Sequence, residues 1–179
     1  VRVVAGEYGG RRLKAPAGDA TRPTTDRVRE AVFSTLGPLD GARVLDLFAG
    51  SGALGIEALS RGAAHTRFVE QARPALVVLK ANLATLDIDS EAASVRAGDA
   101  LAALRDASTR GDAYDLVFLD PPYRQATALG PALSTALTPV LAPGARVVSE
   151  SDRRHPLDLD LPLVHERRYG DTLIRIFQP

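Results

Sequence analysis

Val44-Leu45-Asp46-Leu47-Phe48-Ala49-Gly50-Ser51-Gly52-Ala53-Leu54-Gly55 is the stretch that decides the fold. It opens as an apolar, β-prone run carrying one carboxylate and turns on two closely spaced glycines. It continues through Ile56-Glu57-Ala58-Leu59 as an amphipathic helix that ends near Arg61-Gly62. Strand, glycine turn and helix follow one another without a linker. Gly50 and Gly52 let the backbone turn tightly and approach a ligand, because neither carries a Cβ. Gly50, Gly52 and Gly55 also satisfy the spacing G-x-G-x-x-G, and Glu70, closing an apparent strand from His65, stands about 20 residues on, where an acidic side chain can meet ribose hydroxyls. On this stretch alone a dinucleotide is one candidate ligand.

Working outward, two carboxylates shift the balance toward S-adenosylmethionine. Asp46 lies inside the strand end, four residues before Gly50, where it can meet the ammonium of an amino-acid moiety and would repel a pyrophosphate. Asp99, in Arg96-Ala97-Gly98-Asp99-Ala100, is placed to accept from an adenine amino group, and it suits an ordinary helix N-cap equally well. Glu70 fits either cofactor. Contacts are expected from Phe48, Ala49, Gly50, Ser51 and Gly52 in the turn, from Glu70 with Gln71, from Asp99 with Ala100, and from Asp120 further along the chain.

A second site signal follows the apolar run Leu116-Val117-Phe118-Leu119. The tetrapeptide Asp120-Pro121-Pro122-Tyr123 stops that strand at once, since neither proline can donate to a sheet ladder. The carboxyl ends of strands are where open α/β sheets bind ligands. A carboxylate, a rigid turn and an aromatic ring there suit a planar amine. Its delocalised lone pair makes such a nitrogen a poor nucleophile, and acceptors on Asp120 and the Pro121 carbonyl would localise that pair and aim it at an electrophile. Tyr123 would stack on the base, a contact worth about 1–3 kcal/mol. The same four residues are also a good strand-terminating turn.

From residue 42 onward, strand and helix patterns alternate, which predicts a mostly parallel sheet covered on both faces. Strands are expected at 42–47, 65–70, 93–97, 115–120 and 145–150, with the fourth helix over Gln125 to Leu141. Leu163 to Arg168 and Thr172 to Phe177, split by Tyr169-Gly170-Asp171, read as an antiparallel hairpin closing a seven-stranded α/β sheet. Upstream, Thr24 or Thr25 can cap a helix reaching Leu36, with Gly37-Pro38 as its stop. Residues 1 to 16 resemble a β-hairpin turning at Glu7-Tyr8-Gly9-Gly10. This divides the chain into an N-terminal extension, residues 1–20, and a main domain, residues 21–179.

The chain has 179 residues, 22 basic and 22 acidic, so its formal net charge is zero. The distribution is uneven. Residues 1 to 30 carry Arg2, Arg11, Arg12, Lys14, Arg22, Arg27 and Arg29 against Glu7, Asp19, Asp26 and Glu30, a net +3 balanced by −3 in the remainder. Arg2, Arg11, Arg12, Lys14 and Arg22 are therefore the candidate phosphate contacts to nucleic acid. With no cysteine, disulfides, thiolate metal sites and a cysteine nucleophile are all excluded, and His65, His155 and His165 form no metal-ligand spacing. No apolar stretch approaches the roughly 18–20 residues of a membrane span, and no signal peptide is visible, so a cytoplasmic monomer without metal is expected. The chain opens at Val1 and contains no Met, so an initiator was removed or the true start lies elsewhere.

Several motifs together resemble one family. They are Arg2-Val3-Val4-Ala5-Gly6 with Gly9-Gly10-Arg11-Arg12-Leu13, then Thr21-Arg22-Pro23-Thr24-Thr25-Asp26-Arg27-Val28-Arg29-Glu30, the glycine turn, Asp120 to Tyr123, and Tyr169-Gly170-Asp171-Thr172. In this combination the chain is similar to the bacterial 16S rRNA (guanine-N2)-methyltransferases, a family of Rossmann-like class I S-adenosylmethionine-dependent enzymes. The resemblance implies transfer of a methyl group to N2 of one guanine in the helix 31 loop of 16S rRNA, within an assembled or assembling 30S subunit. It also implies that Thr25 and Arg27 close over the cofactor. Adenine-N6 or glutamine-amide methylation could use the same tetrapeptide, and a non-catalytic cofactor-binding assembly factor is the reading from another class. A nicotinamide oxidoreductase fits Asp46 and the last hairpin least.

Overall fold

The computed structural model describes residues 1–16 and 25–179, and the side chains of all of these except Tyr123 and Arg124. Over these residues the chain alternates as its sequence pattern predicts. The elements are α1 (Asp26–Leu36), β1 (Arg43–Leu47), α2 (Ala53–Ser60), β2 (His65–Glu70), α3 (Arg73–Thr85), β3 (Ala93–Ala97), α4 (Ala100–Arg110), β4 (Tyr114–Leu119), α5 (Tyr123–Leu137), β5 (Leu141–Asp152), β6 (Leu163–Tyr169) and β7 (Thr172–Phe177). The seven strands form one sheet in the order β3-β2-β1-β4-β5-β7-β6. Strands β1 to β5 pair in parallel, and β7 runs antiparallel to both β5 and β6. This is the Rossmann-like class I methyltransferase arrangement, with its order reversing between β1 and β4.

Alternate residues of each strand feed two cores, as the period of a pleated strand requires. Val44, Phe68, Leu116, Phe118, Val148 and Ile176 face α1, α2 and α3. Leu45, Leu47, Val69, Val117, Leu119, Val147 and Phe177 face α4 and α5. Helix α1 buries Val28, Val32, Phe33 and Leu36, a spacing of one helical face, and Phe33 meets Phe118 at 5.6 Å between ring centroids. Its start is capped by Thr25, whose hydroxyl accepts the Val28 N–H, and its end by Gly37 at φ 71°.

Strands β1 and β4 differ from the expected spans by a single residue at one or both ends, and two elements differ by more. Helix α5 starts at Tyr123 and ends at Leu137, followed by one 3-10 turn over Thr138–Val140, so the expected span of Gln125 to Leu141 is shifted toward its N-terminus. Pro139 explains the early end, since it lacks the N–H that an α-helical turn would use. Pro131 is held inside α5 nonetheless. Strand β5 starts at Leu141, four residues ahead of the expected 145, because Pro143 and Gly144 lie in its exposed first half, where a register shift against β4 accommodates them.

The first sixteen residues fold back on themselves through a single antiparallel bridge, Arg2 to Arg12, and lie against α2 and α3. Val3 and Leu13 enter the core at 1% and 6% exposure. The fully buried Glu57 carboxylate accepts the amide N–H groups of Val4 (2.7 Å) and Ala5 (3.1 Å), and also binds Arg61 at 2.7 Å. Ser60 accepts from the Tyr8 amide at 2.9 Å. At Gly6 the backbone runs so close to the Ser60 carbonyl that a Cβ would overlap it, which explains the glycine in the opening motif. The buried Arg29 donates to the Arg2 carbonyl and to Asp26, tying this segment to the start of α1. The expected division at residue 20 lies outside the described residues.

Candidate active site

Three strand ends meet at the reversal of strand order, and each delivers a carboxylate there. The last paired residues of β2, β1, β4 and β5 on one level are Val69, Leu47, Leu119 and Ser149. One residue further lie Glu70, Phe48, Asp120 and Glu150, so three acids share one row across the carboxyl edge. Asp46 sits just below them on β1, 2% exposed.

The row is electrostatically crowded. Burial raises the Asp120 carboxyl well above the usual carboxylate range, and the charges of Glu150 and Asp46 push it further up. Asp46 is pushed up to about 7, first by burial and also by Glu70, against a 3.0 Å hydrogen bond accepted from the Gly55 amide. Among the described residues no group of three or more His, Cys, Asp or Glu has the arrangement to hold a metal ion.

The glycine turn sits directly above this row. Phe48 adopts φ 67°, a left-handed conformation uncommon for an aromatic residue, and such strain concentrates at functional loops. Gly50, at φ 56°, has open space where a Cβ would stand, which leaves its backbone free for close approach by a ligand. Its N–H donates to Glu70 Oε2 at 2.8 Å, while Glu70 Oε1 accepts from Gln71 (2.8 Å) and Ala72 (2.7 Å). Gly52 and Gly55 serve packing instead: a Cβ on Gly52 would strike Leu79, and one on Gly55 would strike Phe68. The fingerprint G-x-G-x-x-G thus divides into one ligand-facing glycine and two that let α2 settle on the sheet.

The remaining expected positions fall as follows. Asp99 is exposed and caps α4 by accepting the Ala102 amide at 2.9 Å, so the capping role expected of it is present, and its backbone lies at the edge of β3 beside Ala100. Ala49 donates to the Val69 carbonyl at 2.9 Å and holds the turn against β2. The Ser51 carbonyl is held by the buried amide of Asn82 at 2.9 Å, and the same amide bonds both the N–H and the carbonyl of Lys14. Pro121 is buried and Pro122 caps α5. The stacking role of Tyr123 concerns a side chain outside the described set. Thr25 and Arg27 stand across from the β6–β7 turn. Of the proposed RNA contacts, Arg12 and Lys14 are exposed, Arg2 is paired with Asp26 at 2.9 Å, Arg11 donates to the Thr85 carbonyl, and Arg22 lies outside the described residues.

Sequence reading overlooked Glu150 and Asn82. A signal for Glu150 exists in Val147-Val148-Ser149-Glu150-Ser151, where an acid continues an apolar strand. Asn82 carries none, because its partners lie 31 and 68 residues away in sequence.

Comparison with known proteins places the chain in a family. Residues 1–178 match the family model described as Conserved hypothetical protein 95. The ribosomal RNA small subunit methyltransferase D of Haemophilus influenzae is 36% identical over 99% of this chain and 93% of its own length. Its namesake in Escherichia coli is 44% identical over 70% of this chain and 61% of that protein. Among solved structures, the Thermus thermophilus protein TTHA0928 superposes with a TM-score of 0.84 at 32% identity, covering 100% of this chain and 99% of that one. At 13% identity, SMU.776 complexed with SAH still gives a TM-score of 0.69 over 86% of this chain and 49% of that one, which shows the shared fold. The chain belongs to the ribosomal RNA small subunit methyltransferase D family.

Proposed function

We propose that this protein transfers a methyl group from S-adenosylmethionine to the exocyclic N2 amine of a guanine in 16S rRNA, acting on the 30S subunit or its precursor. The observation that carries the reading is Asp120 at the carboxyl end of β4, beside the strand-order reversal, followed by the rigid Pro121-Pro122 turn. Relatives named as small-subunit rRNA methyltransferases support the class of substrate. Guanine N2 and the helix 31 loop rest on the family resemblance of the motifs.

The residues fit the cofactor. Its sulfonium and ammonium groups are cationic, and the row of acids including Asp46 and Glu70 supplies the complementary charge. The open backbone at Gly50 supplies room, and a protein of the same fold binds SAH. We assign the glycine turn from Phe48 to Gly52, Glu70 with Gln71, and Asp99 with Ala100 to this ligand. When bound, S-adenosylmethionine supplies an electrophilic methyl group on sulfur.

Asp120 and the Pro121 carbonyl each accept one N–H of the substrate amine, which concentrates its lone pair on nitrogen and points it along the transfer axis. Tyr123 stacks on the base. As the N–C bond forms and the C–S bond breaks, the amine becomes positively charged, and the carboxylate of Asp120 stabilises that charge. The methylated nitrogen then gives up its proton, by way of Asp120 or directly to solvent, to leave the neutral secondary amine. Asp120→Asn keeps the shape and one acceptor but removes the charge. Its kcat on unmodified 30S particles should fall at least 100-fold, with the Kd for S-adenosylhomocysteine within about threefold of the parent. A variant retaining near-parental kcat would remove Asp120 from the chemistry.

A further inference from the structure

We propose that the cleft between the start of α1 and the β6–β7 turn is a second nucleic-acid subsite, which receives the anionic rRNA strand flanking the methylated nucleotide. The cleft has a volume of about 350 Å³ and is walled by Thr25, Arg27 and Val28 on one side and by Arg168, Tyr169 and Thr172 on the other. The inference rests on the methyl-transfer reading above and adds to it where the substrate approaches.

Charge selects the ligand class. Among the described residues two arginines line the cleft and no acid does. Acids on the neighbouring segments are committed: Asp26 to Arg2 (2.9 Å) and Arg29 (2.7 Å), Asp152 to Arg154 (3.0 Å), Asp171 to Arg153 (3.1 Å), and Glu166 chiefly to Arg175 (2.8 Å). Arg27 makes no ion pair among the described residues, and Arg168 is 70% exposed with only a loose 3.9 Å approach to Glu166. A third guanidinium, that of Arg167, lies 5.5 Å from the Tyr169 ring centroid at the cleft edge. Gly170, at φ 63° with open space above it, keeps the turn low and the entrance clear. Arginines beside an aromatic ring in a polar cleft suit a sugar-phosphate strand.

Topology decides between substrate and cofactor. The acids assigned to the cofactor lie on the β1-β2-β3 half of the sheet, while this cleft opens on the β7-β6 half. Asp120, on β4, stands between them. Thr172 pairs with Asp152, two residues beyond Glu150, and β7 is two strands from β4, which places the cleft about 12 Å from Asp120. That is close enough for a strand whose target base sits at Asp120 to continue into it. A ligand with a cationic sulfonium and ammonium has its complementary charge on the other half.

The test uses the full chain and the exposed variants Arg168→Ala, Arg167→Ala and their combination, with melting temperature as the folding control. Binding of unmodified 30S particles is measured directly, alongside methylation and S-adenosylhomocysteine affinity. The double variant should bind particles about 10-fold more weakly, with KM raised in step, a shallower salt dependence, and S-adenosylhomocysteine affinity within about twofold of the parent. Unchanged particle binding would overturn the subsite. So would a loss of S-adenosylhomocysteine affinity, which would hand the cleft to the cofactor. Because binding is read separately from turnover, a parent protein that binds particles without methylating them would defeat the methyl-transfer reading while still testing the cleft.

Discussion

At the scale of single residues, the site is built from acids that are costly to keep there. Raising Asp46 from the ordinary 3.8 to about 7 corresponds to on the order of 4 kcal/mol lost when it ionises in the folded protein. Its folded-state value lies above its unfolded one, so its contribution to stability is fully present below about pH 3.8 and is lost as pH rises from there through about 7. Asp120 acts in the same direction. The unliganded protein should therefore lose melting temperature between about pH 4 and 7, and Asp46→Asn should remove much of that loss while matching the parent near the acid end of that range. If a cofactor cation meets Asp46, affinity for S-adenosylmethionine should rise over the same range, with proton release visible by calorimetry in buffers of different ionisation enthalpy. A melting temperature independent of pH would show that these carboxyls are not perturbed. Asp46, Glu70 and Asp120 were legible in the sequence because each follows an apolar strand. Glu150 was overlooked because its meaning comes only from register with β4. The buried Glu57, which ties down Val4 and Ala5 about 50 residues away, was likewise invisible to local pattern.

At the scale of elements, the glycine turn shows how one motif serves two ends. Gly50→Ala meets only the backbone penalty of a left-handed conformation, about 1 kcal/mol, since nothing occupies the space of its Cβ. Gly52→Ala adds a clash with Leu79 to φ 84° and should cost about 2–4 kcal/mol. Denaturation should thus rank Gly52→Ala well below Gly50→Ala in stability, whereas S-adenosylhomocysteine binding by the folded Gly50→Ala protein should weaken at least 10-fold. Equal loss of stability at the two positions would contradict the division of roles. The strands at 65–70 and 93–97 were legible to the residue because β-prone runs and clear turn signals agree there. The ends of α5 and β5 were not: Pro131 stays within a helix and Pro143-Gly144 within a strand, where tertiary packing overrides local preference. The N-terminal turn was read correctly as antiparallel, but its docking on α2 depends on Glu57 and Ser60, which no short-range pattern links to it.

At the scale of the whole molecule, the sheet separates two binding tasks. On the proposed reading, Asp46 and Glu70 on one half face a cationic cofactor, the arginines beside the β6–β7 turn on the other half face a polyanion, and β4 ends between them. A net charge of zero conceals this polarity, which explains why composition alone gives a weak signal for RNA binding. The family and fold leave methyl transfer to rRNA as the central claim, and its most direct test is chemical. Unmodified 30S particles are incubated with the protein and S-adenosylmethionine carrying a labelled methyl group, and the rRNA is digested to nucleosides and separated. The account predicts label in N2-methylguanosine, lost with Asp120→Asn. Label in N6-methyladenosine, or in protein with none in RNA, would contradict it.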